Sequence, residues 1–221
     1  MAATVRLTTG SPRPNPVLVG TGPFGEHVAA LLTTRYPAAR TLPLDELDRT
    51  ADGPADVLVV AMWRPSPGLC ERADAFAHAH GLPWLPMVME RQAISVGPWV
   101  TPGSSPCHRC YRRRLVQHDS QWQISGAVLN AYTDDPKVGP AGFLPGHART
   151  AAAVAGALID HGQRSAGGPG GRVVTISLRG NTVSSDQVVG CHGCDRCDPA
   201  LPFADLRSRL GLSEAVSVGA R

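Results

Sequence analysis

The residues best placed to do chemistry in this chain are two groups of cysteines. Cys107 and Cys110 stand three positions apart in "SSPCHRCYRRR", and "CHGCDRC" carries Cys191, Cys194 and Cys197 as two overlapping CxxC units. One CxxC serves equally for a disulfide, a redox pair, a metal knuckle or the start of a nucleic-acid site. Two of them, with residues 111 to 190 between, can present four thiolates tetrahedrally, as a closed structural zinc site requires. The spacing predicts Cys107, Cys110, Cys191 and Cys194 as ligands. Cys197 is an alternative, because Cys194/Cys197 repeats the spacing of Cys191/Cys194. His108 and His192, inside the spacers, are further alternatives, although a spacer histidine more often points to solvent. A four-thiolate site leaves no coordination position for substrate, so its role is to clamp distant segments together. Cys70, alone on an expected helix, reads as a small buried hydrophobe.

A second candidate is the glycine turn. Gly20, Gly22 and Gly25 form GxGxxG between an expected strand and an expected helix, where backbone can approach a phosphate and the helix N-terminus offers free N–H donors. Asp45 follows about twenty residues on, near the end of an expected second strand, where a carboxylate could take ribose hydroxyls. Arg49 is the one basic residue nearby. The competing account is that the glycines only let strand and helix pack closely. Asp160, His161 and His147 lie on or beside one expected helix and form no convincing proton-transfer set. Arg109, Arg112, Arg113 and Arg114 could meet phosphate, but Tyr111 is their only adjacent aromatic, so a solvated face or a protein contact suits them better than nucleic acid.

The elements that must position these residues alternate between strand and helix. Pro16 to Val19 is an expected strand leading through the glycines into a helix with Val28, Leu31 and Leu32 on one face. "ARTLPLDEL" is an expected second strand, "PADVLVVAMW" a strand covered on both faces, and "GLCERADAFAHAHGLP" a helix stopped at Gly81. "WLPMVMERQAISVGPWVTPG" brings two further extended segments to Cys107, and "RRRLVQHDSQWQISGAVLNAY" is partly helical. "HARTAAAVAGALIDHG" is an Ala-rich helix, and "GRVVTISLRGNTVSSDQVVG" a hairpin turning at Gly180-Asn181 and feeding the second cysteine group. The expected fold is α/β, a Rossmann-like and mostly parallel sheet with helices on both faces, plus a zinc-stapled C-terminal hairpin region.

Composition bounds these expectations. The 221 residues, 43% hydrophobic and 18% charged, suit one soluble domain, and the 24 glycines and 20 prolines scatter as turns without a repeat period. A net charge of +3 gives no basic stripe for nucleic acid. No apolar run is long enough to span a membrane, and the first residues lack a signal-peptide core, so a cytoplasmic protein is expected. The expected division is a flexible lead-in over 1–15, one domain over 16–198 and a tail over 199–221. Trp63, Trp84, Trp99 and Trp122 are candidate contact residues for which core packing is the simpler placement.

The glycine turn at the front, the first CxxC and the distant second group together resemble the ubiquitin-activating-enzyme-like superfamily typified by ThiF and MoeB. "GPWVTPGSSPCHRCYRRR", "LPGHARTAAAVAGALI" and "VVGCHGC" are similar to its ThiF-like cyclodehydratase-partner branch in azole and thiopeptide biosynthesis from ribosomally made peptides. The resemblance implies a structural zinc, a homodimer, and docking with a YcaO-type cyclodehydratase or its precursor peptide. Adenylating relatives need basic residues after the second strand and an acidic residue ending the next. Here only Arg49 is basic in the first region, and Met62 and Trp63 stand in the second. The resemblance therefore implies a non-catalytic scaffold with a degenerate adenylation site, without the N-terminal winged-helix domain of larger members. The alternatives are an ATP-dependent activating enzyme using Gly20, Gly22, Gly25 and Asp45, and a NAD-type oxidoreductase on the same glycines.

Overall fold

A computed structural model describes residues 13–49, 54–135, 137–140, 142–164, 169–180 and 182–197. The expected tail, most of the lead-in and Asn181 of the expected turn lie outside the described residues.

Strand β1 (Pro16–Thr21) enters helix α1 (Gly22–Arg35), with a proline in its first turn, and α1 turns Phe24, Val28, Ala29 and Leu32 inward. The expected second strand shrinks to β2 (Arg40–Thr41), because Pro43 ends it and a 3-10 turn, Leu44–Arg49, follows. Within that turn Leu47 is buried and Asp45 is exposed. β3 (Val57–Met62) is buried at all six positions, as expected of a strand covered on both faces. Helix α2 (Pro67–His80) ends where Gly81 takes φ 62° and donates its N–H to Ala77 and His78 carbonyls. β4 (Trp84–Met89) and β5 (Ala93–Val96) follow, then α3 (His108–His118), α4 (Trp122–Asp134), α5 (Pro145–Arg164), β6 (Arg172–Ser177) and β7 (Val183–Gln187).

The seven strands form one sheet in the order β2-β1-β3-β4-β5-β6-β7. Pairings from β2 to β4 are parallel, and those from β4 to β7 are antiparallel. The three residues between β4 and β5 admit only an antiparallel pair, since a parallel return needs a crossover of a dozen or more residues. The class is α/β with a mixed sheet.

Alternation along the strands splits the core. Leu18, Val57, Val59, Leu85, Met87 and Ile94 pack with α1 and α5, while Val17, Leu58, Val60, Met62 and Trp84 pack with α2. Small residues let α5 lie close to α1: a Cβ on Gly156 would stand 2.7 Å from Arg35 Nε. That seam is fastened by Tyr36, whose hydroxyl bonds Gly156 O at 3.0 Å and Asp160 Oδ1 at 2.8 Å, and by the Arg35–Asp160 ion pair at 2.6 Å. Asp160, weighed above as a proton-transfer candidate, is thus part of a structural seam.

Candidate metal centre and the plugged crevice

The segment "GPWV" positions the first cysteine pair. Trp84 and Val100 exchange both backbone bonds at 2.9 Å, while Trp99 N–H donates to Arg172 O and Gly171 N–H to Trp99 O. The chain is thereby tied to the starts of β4 and β6 just before it reaches Cys107. Cys107 then caps the N-terminus of α3, and Cys110 lies in the helix's first turn. Free N–H groups and the positive dipole end at that place favour thiolates. The β6–β7 hairpin delivers the second group from the opposite side, and Arg114 fixes its approach by donating to Val189 O and Gly190 O.

The four sulfurs that converge are those of Cys107, Cys110, Cys194 and Cys197, all within 4.8 Å of one another. The Cys107–Cys110, Cys107–Cys194 and Cys110–Cys197 separations are 3.9, 3.6 and 3.5 Å. A tetrahedron with metal–sulfur bonds of about 2.3 Å has edges of about 3.8 Å, so the donor set matches zinc in element, number and spacing. A disulfide needs about 2.05 Å, and all six cysteines are free. Cys107, Cys110 and Cys194 are fully buried, which suits a closed structural site.

Among the described residues, the fourth place is taken by Cys197, the alternative to Cys191. Cys191 supports the cluster differently: its backbone N–H donates to Cys110 Sγ at 3.2 Å. Cys194 sits against the backbone N–H groups of Cys197 and Arg196; burial raises its pKa, but these donors outweigh burial and hold the thiol down at about 7. Burial instead dominates at Cys197, pushing it up to about 11, and at Cys107, which is raised further. A bound divalent ion would stabilise all four thiolates directly.

The spacer histidines diverge from expectation. His108 is 5% exposed, its ring 5.4 Å from the Trp84 ring and 5.7 Å from that of Tyr111, and burial holds it neutral with a pKa of about 4. It packs against the core because the first turn of α3 faces β4 there. His192 is exposed. Cys70 is buried among Met62 and Ala73, as expected, with burial raising its pKa to about 12.

The glycine turn occupies the switch point of the sheet, where β1 lies between β2 and β3 and open α/β sheets bind ligands beyond the strand ends. Here each glycine answers to a neighbour. A Cβ on Gly20 would stand 2.7 Å from Gly25 O, and one on Gly25 would stand 2.2 Å from Ala61 O, so both serve the close packing of α1 on β1 and β3. Gly22, at φ +65°, would drive a Cβ to 2.4 Å from the indole of Trp63. The far edge of the same indole lies where a Cβ on Gly139 would come, also at 2.4 Å. Trp63 is thus sandwiched between the turn and residues 137–140. Arg64 secures that cover, donating to Asp135 O and Val138 O and stacking on Trp63 and Tyr132 at 5.3 and 5.0 Å. Asp45 sits four residues past β2, on the 3-10 turn, and the Arg49 side chain lies outside the described residues.

Two features escaped the sequence: the carboxylates of Glu71 and Asp74 beside the cysteines, and the filling of the crevice by Trp63. Asp74 carried a signal, since it shares the inward face of α2 with Cys70, Ala73 and Ala77. Of the other tryptophans, Trp84 and Trp99 are core residues and Trp122 is 56% exposed. No helix among the described residues is long and apolar enough to cross a membrane.

No family model and no curated protein matches the chain. Solved structures do. The heterocyclase TruD superposes with a TM-score of 0.62 at 17% identity, over 94% of this chain and 30% of that one. A heterocyclase in complex with substrate and cofactor gives 0.59 at 19%, over 84% and 26%. MccB of E. coli with ATP gives 0.57 at 15%, over 83% and 67%. This chain spans less than a third of either heterocyclase. Its described residues share the α/β fold of TruD and MccB.

Proposed function

We propose that this chain is a non-catalytic, zinc-stapled ThiF-like partner in azole-type modification of a ribosomally made peptide, docking with a YcaO-type cyclodehydratase that performs the ATP-dependent step. The observation that carries this reading is Trp63, whose indole fills the space above Gly22 where a nucleotide's phosphates would approach the turn. The three glycines are each accounted for by packing, and Met62 and Trp63 stand where an adenylating relative would hold magnesium. The fold likeness to two heterocyclases supports the pathway class. Helix α4 buries none of its residues and exposes Trp122, Ile124 and Val128, an apolar patch of the kind that marks a protein contact.

In this reading zinc would be held by Cys107, Cys110, Cys194 and Cys197, and it would supply cohesion between α3 and the end of the hairpin. Metal analysis and co-purification with a cyclodehydratase and its precursor peptide test the proposal. Stoichiometric zinc and a stable complex are expected. The competing reading, an ATP-dependent activating enzyme, draws on the likeness to MccB, which was solved with ATP. It requires ATP with magnesium to raise the unfolding temperature, because a ligand that binds only the native state must stabilise it.

A further inference from the structure

We propose that Glu71 and Asp74, one turn apart on α2 and outside both cysteine pairs, are positioning residues that hold the two metal knuckles in register. This rests on the zinc reading above and concerns what assembles that site. Asp74 is fully buried, and its carboxylate is saturated by groups from three directions. Oδ1 accepts from Trp84 Nε1 at 2.9 Å and from the backbone N–H of His108 at 3.2 Å, while Oδ2 accepts from Arg196 Nη1 at 2.7 Å. His108 belongs to the first cysteine spacer and Arg196 to the second, so one carboxylate grips both knuckles and ties them to the start of β4.

Glu71 repeats the arrangement on the outer side. It accepts from Arg109 Nε at 3.1 Å and Nη2 at 2.5 Å, and from Arg196 Nη2 at 2.8 Å. Arg109 continues across to Asp195 at 2.6 Å. All four spacer residues, His108 and Arg109 in the first pair and Asp195 and Arg196 in the second, therefore join one network centred on two acids of α2. The first knuckle also has the backbone of α3 to shape it. The second, from Cys191 to Cys197, lies outside any helix or strand, so its placement depends on side chains. The side chain of Arg196 is only 13% exposed and bridges both carboxylates; with Asp74 it forms a buried pair in which loss of one partner leaves the other charge uncompensated. Held in this way, Cys194 and Cys197 are aimed at Cys107 and Cys110 by contacts outside the metal's own ligands, which lowers the ordering cost that zinc binding must meet.

The test is zinc affinity, measured by competition with a chromophoric chelator on the full chain. Wild type, Glu71→Gln, Asp74→Asn and, as a control, Asp160→Asn are compared, each alongside its urea unfolding midpoint. The control breaks the Arg35 ion pair on the far face of the sheet. We expect Glu71→Gln and Asp74→Asn to weaken zinc binding about tenfold or more, the range found when groups orienting metal ligands are removed. Asp160→Asn should lower stability and leave affinity unchanged. Affinities within twofold of wild type for both α2 variants, or an equal loss in the control, would overturn the inference. If Asp74→Asn fails to fold, the more exposed Glu71 decides the matter alone. A wild-type chain that holds no zinc would instead remove the metal reading itself.

Discussion

Substituting Gly22 by alanine, alone and together with Trp63→Ala, measures the filling of the crevice directly. In wild type the new Cβ meets the indole at 2.4 Å, and the backbone holds φ +65°. An alanine in the left-handed region costs about 1–2 kcal/mol, and forcing an extra carbon into packed space adds about 1–3 kcal/mol. Gly22→Ala should therefore cost roughly 2–5 kcal/mol in wild type. Trp63→Ala removes the steric part and leaves the backbone part, so the same change should cost only about 1–2 kcal/mol in that background. The difference, a coupling of about 1–3 kcal/mol, is what a double-mutant cycle isolates. Urea unfolding followed by far-ultraviolet circular dichroism supplies the four free energies. Equal costs of Gly22→Ala in both backgrounds would mean that Trp63 does not sit on the turn, and the account of a filled crevice would fail. Gly25→Ala is the internal contrast: its Cβ would meet the backbone of Ala61 at 2.2 Å, so its cost should not change when Trp63 is removed.

Other consequences follow from the same geometry. Cys197→Ser should abolish zinc retention, whereas Cys191→Ser, which keeps the backbone donor to Cys110, should retain it, as read by metal analysis after gel filtration. Restoring zinc to the chelated protein at a thousandfold excess over Kd should stabilise it by about 4 kcal/mol, visible as a rise in Tm. Tyr36 has its pKa pushed up to about 12 by burial, so the protonated phenol stabilises the fold fully below pH 10 and loses that contribution as pH rises through 12. Tyr36→Phe should flatten stability across that window by roughly 2 kcal/mol, seen in urea midpoints at successive pH values. Trp122→Ala should leave the free energy of unfolding within about 0.5 kcal/mol of wild type while weakening co-purification with the cyclodehydratase; a lowered stability with undiminished co-purification would contradict the docking role of α4.

Local patterns made much of this legible. The run at Val57–Met62 suited a doubly covered strand, Gly81 marked a helix end, and the alternation after Gly171 gave the β6–β7 hairpin. "LPLDEL" has the composition of an extended segment, yet only Leu47 needs burial there, and a 3-10 turn achieves that while leaving Asp45 in solvent. Choosing between Cys191 and Cys197 was beyond spacing, since both stand three residues from Cys194; the direction in which the loop closes on α2 separates them. His108 could not be placed either, because burial of a spacer residue depends on what α3 packs against. Trp63 was visible as a departure at a strand end, but its partner Gly139 lies 76 residues away in sequence, and only the fold brings the two together.

The proposed role of this chain is to support a peptide-modifying enzyme, with substrate activation left to that enzyme. Its most direct test is a reconstituted reaction of a cyclodehydratase and precursor peptide from the same gene neighbourhood, with azoline formation followed by mass spectrometry as loss of water and nucleotide products followed in parallel. The account predicts that adding this protein accelerates ring formation several-fold, while the protein with peptide, ATP and magnesium but no cyclodehydratase leaves the nucleotide intact. Release of AMP and pyrophosphate by this protein without the cyclodehydratase, or ring formation indifferent to its presence, would contradict it.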